Sequence, residues 1–315
     1  MPLIIDEKIP AYEKLKAELV SEISLERARR QDIRPIEIGI LNLMPNAVVE
    51  RTEIQLLRLL ANTPLQLRPS FIYFDEYRSK SSQKHFDRFY QPISAIKKKG
   101  LDGLIITGAN LEEHDFEDVF YWNEITDFFD WAHQNVTSTI FSCWAGHAAL
   151  YHRYGIRPNT YKRKCFGIFR HTVHRELHAS ILAGMDDEIT VPHSRWRGIE
   201  KQDIAGHGEL QILIESAVAG PHVIAGRGGR ELYVQGHPEY DRNDLAGEYF
   251  RDKLKGVKIN LPKNYFPKNN DNNVPIKNWG ANSQVFYANW INWVYQTTDF
   301  DIKKPLMGSK SSEGR

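Results

Sequence analysis

Apolar residues along this 315-residue chain follow two alternating patterns. Short runs rich in β-branched residues, at 36–43, 66–74, 103–107 and 138–142, are too short for independent helices and predict strands. Between them, residues 50–60 and 122–132 repeat their apolar positions at the period of a helix with one buried face. That βαβ alternation predicts an α/β fold, a mostly parallel sheet with helices on both faces. Past residue 150 the strand-like runs crowd together, at 188–191, 210–215, 222–225 and 231–235, and Arg227-Gly228-Gly229-Arg230 suits a hairpin turn between the last two. A helix is predicted over 241–254, a Pro- and Asn-rich loop over 262–275, and a helix over 283–295 whose Phe286, Tyr287, Trp290, Trp293 and Val294 share a core-facing stripe. No repeat or linker interrupts this pattern. The expected organisation is an N-terminal extension at 1–35, a single domain at 36–300 and a tail at 301–315.

Composition narrows the class. With 41 basic and 40 acidic residues the net charge is +1, which argues against a nucleic-acid or membrane partner. Two cysteines make no disulfide framework, so a reduced, cytoplasmic setting is expected. The opening MPLIIDEKIPAYEKL lacks the basic and apolar regions of a signal peptide, and no apolar run reaches the length of a membrane span.

The chemistry is concentrated in two short segments. Thr137-Ser138-Thr139-Ile140-Phe141-Ser142 leads straight into Cys143, and Trp144-Ala145-Gly146-His147 opens a helix. A strand ending in a sharp turn into a helix exposes a nucleophile, and the helix N-terminus favours a thiolate and later an oxyanion. Much later comes Gln235-Gly236-His237-Pro238-Glu239-Tyr240. The i, i+2 spacing of His237 and Glu239 puts both side chains on one side of an extended segment. Cys143, His237 and Glu239 thus read as nucleophile, base and the carboxylate that orients the base, with the backbone N–H of Trp144 as an oxyanion donor. Alone, Cys143 would be read as a small core residue, the reading that Cys165 keeps. No metal is expected: His171, His174 and His178 have helix-like spacing but no accompanying Glu or Cys. His147 reads as a packed helix histidine.

Further segments extend the pattern: Ile40-Leu41-Asn42-Leu43-Met44-Pro45, Leu57-Arg58-Leu59-Leu60-Ala61-Asn62-Thr63-Pro64, Gly103-Leu104-Ile105-Ile106-Thr107-Gly108-Ala109, Pro192-His193-Ser194-Arg195 and Asn264-Tyr265-Phe266-Pro267. Over residues 1–300 the chain resembles the homoserine O-acyltransferases of methionine biosynthesis (the MetA type), which share the flavodoxin-like fold of class I glutamine amidotransferases. The resemblance implies a ping-pong transfer, with no cofactor beyond acetyl-CoA as co-substrate and with L-homoserine as acceptor. It places substrate contacts on Lys164, Ser194 and Arg251 and implies a homodimer. It also marks Glu112 as the residue of acyl-CoA specificity. A glutamate there would repel the free carboxylate of a succinyl group, so acetyl transfer is expected and succinyl transfer is the alternative. The chain departs from the family at Asn46-Ala47, where lysines are usual.

Other readings stay open at this stage. A serine O-acyltransferase differs in its acceptor by one methylene, worth only about 1–3 kcal/mol of discrimination. A glutaminase-like hydrolase would normally carry glycine where Phe141 stands, and the intact Cys143, His237 and Glu239 argue against a metabolite-sensing pseudoenzyme.

Overall fold

The computed structural model describes residues 3–18, 20, 24, 26, 28, 34–76, 83–111, 115–177 and 179–298. The expected tail at 301–315, His178, and Glu112, for which a role in acyl specificity is expected, lie outside the described residues. The chain divides into two compact units, one made of 1–106, 116–139 and 291–315 and the other of 107–115 and 140–290.

The first unit holds the parallel strands predicted from the early apolar runs at 36–43, 66–74 and 103–107, together with the three-residue strand Tyr90–Pro92, which was not read from the sequence. β1 (Ile36–Leu41), β2 (Leu67–Tyr73), β3 (Tyr90–Pro92) and β4 (Gly103–Ile106) lie in the order β3-β2-β1-β4. Ile36 pairs with Leu67 and Ile38 with Gly103. Every residue of β1 is buried, which explains its unbroken apolar run, and the one charge in it, Glu37, is met by Arg68 and by Lys99 at 2.7 Å. The strand stops at Leu41 rather than at 43 because Asn42 turns inward. Its side chain donates to the Tyr90 hydroxyl at 3.0 Å and accepts the Met44 N–H at 3.2 Å, an Asx turn.

Helices α1 (Pro10–Ala17), α2 (Val49–Leu60), α3 (Gln83–Phe89), α4 (Ile93–Lys99) and α5 (Trp122–Asn135) belong to this unit. Two of them match the helical patterns at 50–60 and 122–132, whereas α1, α3 and α4 are too short to leave a clear period. On α2 the buried Glu53 accepts hydrogen bonds from the Tyr90 hydroxyl and the His85 ring, both at 2.7 Å.

The second unit is strand-rich. β5 (Ser138–Ser142) ends in it, and its strand order is β5-β10-β9-β8-β6-β7, with β6 (Asn159–Val173), β7 (Glu188–Gly198), β8 (Gln211–Ser216), β9 (Gly220–Gly226) and β10 (Glu231–Val234). The β9–β10 hairpin turns at Arg227–Gly229, with positive φ at all three residues, as the Arg-Gly-Gly-Arg motif foretold. β6 was not read from the sequence. Its first half, Asn159–Cys165, is half-exposed and basic, so it lacks the apolar run that marks a strand, and antiparallel pairing with β7 holds it in place. That pairing also extends β7 well beyond the predicted 188–191.

Among the described residues, three longer helices follow, besides the one-turn helix Lys201–Ile204. α6 (Trp144–Tyr154) follows β5, and α7 (Asp244–Leu254) follows β10. Leu245 and Tyr249 on α7 pack with Phe166, Ile168, Tyr265, Phe266 and Trp279 in one buried cluster, which fixes the helix. α8 (Gly280–Thr297) is the aromatic helix predicted at 283–295, and its Phe286, Tyr287, Trp290 and Val294 are buried. No helix among the described residues is long and apolar enough to cross a membrane.

Candidate active site

Cys143 sits between β5 and α6 with φ +48° and ψ −114°, a backbone conformation that side chains rarely adopt. The neighbours enforce it. The Cys143 N–H donates to the Val234 carbonyl at 2.6 Å, and its own carbonyl accepts the His147 N–H at 3.1 Å. Gly146 lets α6 start this close to the sheet, since a Cβ there would lie 3.0 Å from the Phe141 carbonyl oxygen. Gly108 plays the same part on the other side: a Cβ would lie 3.2 Å from that of Cys143 and 3.8 Å from the Trp144 nitrogen. The result is a strained elbow that presents the thiol beside the first N–H groups of a helix.

His237 follows β10 and is buried. Its N–H donates to the Pro192 carbonyl at 2.8 Å, and its Nδ1 lies 2.8 Å from Glu239 Oε1. The Cys143 side chain is a second neighbour of the ring. Burial alone would push the imidazole toward its neutral form. The nearby Glu239 carboxylate and the Cys143 side chain outweigh that and hold its pKa well above the ordinary value. The structure therefore brings Cys143, His237 and Glu239 together.

Beside this trio lies a polar cluster that the sequence reading only half anticipated. Glu248 on α7 is its hub. It accepts the Ser194 hydroxyl, the Tyr240 hydroxyl at 2.7 Å and the Lys164 ammonium at 3.0 Å. Lys164 also lies 4.5 Å from the centre of the Phe166 ring. Burial works to raise the Glu248 pKa, but Lys164 and the two hydroxyl donors leave it below the usual carboxylate value. Lys164 is therefore not part of a solvated basic face. Arg251, one turn further along α7, is nearly half-exposed and donates from Nε to Asp252 at 2.8 Å, while Lys164 Nζ lies 3.8 Å from the same carboxylate.

Tyr240 and Glu248 were missed in the sequence. Tyr240 stood next to the His-Pro-Glu segment and carried a signal by position. Glu248 looked like any acid on an amphipathic helix. His147 is buried on α6 and pairs with Gln235 at 3.0 Å, away from the thiol. Cys165 lies on β6 opposite Arg195. His171 is on a strand and His174 is held by Glu176 and Glu215. Among the described residues no group of three His, Cys, Asp or Glu side chains could hold a metal ion.

Comparison with known proteins adds a family and a fold. The sequence model of the family described as homoserine O-succinyltransferase matches residues 2–300. A homoserine O-acetyltransferase of Bacteroides fragilis is 45% identical over 305 residues, covering 96% of this chain and 99% of that protein. A homoserine O-succinyltransferase of Pseudoalteromonas translucida is 42% identical over 304 residues, covering 96% of each. Among solved structures, a glutamine amidotransferase from Methylobacillus flagellatus superposes with a TM-score of 0.55 at 12% identity, covering 83% of this chain and 96% of that one. A second, from Thermotoga maritima, gives 0.53 at 7% identity, covering 83% and 99%. The fold is thus that of the class I glutamine amidotransferases, as expected from the sequence.

Proposed function

Because the chain belongs to the homoserine O-succinyltransferase family, and is a homoserine O-acyltransferase of methionine biosynthesis, we propose that it transfers an acetyl group from acetyl-CoA to L-homoserine through an acyl-enzyme on Cys143. The observation that carries this reading is the grouping of Cys143, at the strained elbow before α6, with His237, whose Nδ1 lies 2.8 Å from the Glu239 carboxylate.

In the first half-reaction His237 holds the proton of Cys143, and the thiolate attacks the thioester carbonyl carbon. The oxyanion that forms is met by the Trp144 N–H at the start of α6. Collapse breaks the carbon–sulfur bond to CoA, and the imidazolium returns its proton to the departing thiolate. Exchange of one thioester for another is nearly isoenergetic, which suits a cysteine. In the second half-reaction His237 takes the proton of the homoserine hydroxyl, the oxygen attacks the acyl carbon, and the bond to Sγ breaks. An ester leaves, and Cys143 and His237 are restored. Arg251 would pair with the homoserine carboxylate, and Lys164 and Ser194 would hold polar groups of the acceptor or acyl chain.

Acetyl choice rests on Glu112, whose carboxylate would repel that of a succinyl group. Relatives of either name are about equally similar to this chain, so overall identity does not discriminate between donors. The test is thiol release from acetyl-CoA and from succinyl-CoA, each with L-homoserine or L-serine. Homoserine-dependent release favouring acetyl-CoA supports the reading, and Glu112→Gly should then raise succinyl-CoA turnover. Preference for succinyl-CoA would overturn the role given to Glu112, and preference for serine would overturn the acceptor.

A further inference from the structure

Behind Gly236, three imidazoles pack against one another in the protein interior. His171 and His193 are stacked, with ring centroids 5.0 Å apart and planes 9° from parallel, and His222 meets them edge-on at 5.3 and 5.8 Å. All three are buried. None takes part in the chemistry described above.

Their hydrogen bonds run in one direction only. The Arg195 guanidinium is a donor and nothing else, so His193 Nδ1, 3.3 Å from Arg195 Nε, must be an unprotonated acceptor. The proton of His193 is then on Nε2, which lies 3.1 Å from His171 Nε2 and donates to it. His171 in turn carries its proton on Nδ1 and donates to the Phe169 carbonyl at 3.0 Å. A donor-only group at one end and an acceptor-only group at the other leave a single arrangement, in which both rings are neutral. His222 uses Nδ1 to accept the Gly236 N–H at 3.2 Å, so it too is unprotonated at that nitrogen.

The backbone around the base is held by the same neighbours. The N–H groups of Gln235, Gly236 and His237 go to the His222 carbonyl, the His222 ring and the Pro192 carbonyl in turn. Contact is tight enough to require glycine. A Cβ on Gly236 would lie 2.9 Å from His193 Nε2, 2.9 Å from His222 Nδ1 and 2.7 Å from Val191 Cγ1. The charged groups facing the trio are Arg195 and His237. Arg195 is itself buried and is held by Tyr161 at 2.8 Å and the carbonyls of Arg197 and Ala219, with the Tyr161 hydroxyl donating a hydrogen bond to Glu200.

We propose that His171, His193 and His222, oriented by Arg195, are positioning residues for His237: a seat of neutral imidazoles that fixes the backbone at Gly236, aims the His237 ring at Cys143, and keeps uncharged rings behind the cation that forms there. The proposal rests on the reading of His237 as the base. Burial first, and the charges of Arg195 and His237 after it, hold His193 and His222 well below the ordinary histidine pKa, which keeps the seat neutral.

The test uses the full chain and two readouts, steady-state turnover and the iodoacetamide alkylation of Cys143, followed on its own peptide from pH 5 to 10. His222→Phe keeps the ring and removes the acceptor, whereas His222→Asn keeps a side-chain oxygen for the Gly236 N–H. His222→Phe is expected to lose at least tenfold in kcat with KM within about threefold, and its alkylation at pH 7 should slow several-fold with a displaced pH profile. His222→Asn should return both readouts to within about threefold of the unsubstituted protein. A folded His222→Phe with unchanged alkylation, or a His222→Asn as impaired as His222→Phe, would overturn the proposal. Should His222→Phe not fold, His171→Phe takes its place, since it cuts the chain at its far end without touching Gly236. A displaced profile there supports the seat and an unchanged one overturns it. If Cys143 in the unsubstituted protein reacts no faster than a free thiol such as glutathione, and His237→Asn does not slow it, the base reading itself fails and takes the proposal with it.

Discussion

Tyr240 lies flat on the imidazole of His237, with ring centroids 4.3 Å apart and planes 18° from parallel. Its hydroxyl donates to Glu248, so one residue joins the base to the hub of the polar cluster. The stack limits rotation of His237, and the hydrogen bond limits rotation of Tyr240. Tyr240→Phe should keep the stack and cost only a few-fold in kcat. Tyr240→Leu should lose the stack and cost at least tenfold. Equal effects in steady-state assays would show that the stack does not matter.

Glu239→Gln removes the charge that supports the His237 imidazolium. The expected loss in kcat is on the order of 10²–10⁴-fold, as for other orienting carboxylates. A pH effect on stability accompanies it. His237 has a folded pKa above its unfolded value, so its contribution is fully present below about pH 6.5 and is lost as pH rises through the folded value. With Gln at 239 the folded pKa comes down toward the unfolded one, so less stability is there to lose. Urea midpoints at pH 6 and pH 9 should show a narrower gap for the variant, and identical gaps would contradict the assignment.

Acid should destabilise the fold through its buried histidines. Burial, with Arg195 adding to it, takes the His147 pKa down to about 3, and burial takes His171 to about 4. Below about pH 6.5 the unfolded chain takes up protons that these folded rings refuse. Stability present above that pH is therefore lost as pH falls, at roughly 1.4 kcal/mol per pH unit for each ring. His147→Gln removes one of these sites, so its stability should fall less steeply between pH 6.5 and 4. An unchanged slope in pH-dependent urea unfolding would refute this.

Lys164 and Glu248 form a largely buried pair at 3.0 Å. Removing only the cation strands a carboxylate, so Lys164→Met should cost about 3–5 kcal/mol of stability. The double variant Lys164→Met, Glu248→Leu should regain much of that loss while remaining poor in acceptor binding. Denaturant unfolding of the two variants, with KM for homoserine where turnover survives, measures both effects.

The grouping of Cys143, His237 and Glu239 was legible because each part leaves a local mark: a β-branched run into cysteine, a Gly-His-Pro-Glu segment, and an i, i+2 spacing. The parallel strands were legible for a related reason, since strands buried on both faces read as continuous apolar runs. What stayed hidden depends on distant pairing. β6 begins with the basic, half-exposed Asn159–Lys164 and is a strand because β7 lies beside it. Lys164 and Glu248 are 84 positions apart, and neither local sequence announces a partner. The histidine seat draws on β6, β7 and β9, so only the folded sheet reveals it.

The most direct measurement of the central claim is the mass of the protein after exposure to acetyl-CoA without acceptor. One acetyl group is expected on the peptide that contains Cys143, discharged on addition of L-homoserine and absent from Cys143→Ala. Turnover by Cys143→Ala, or an acetyl group that homoserine does not remove, would contradict the acyl-enzyme.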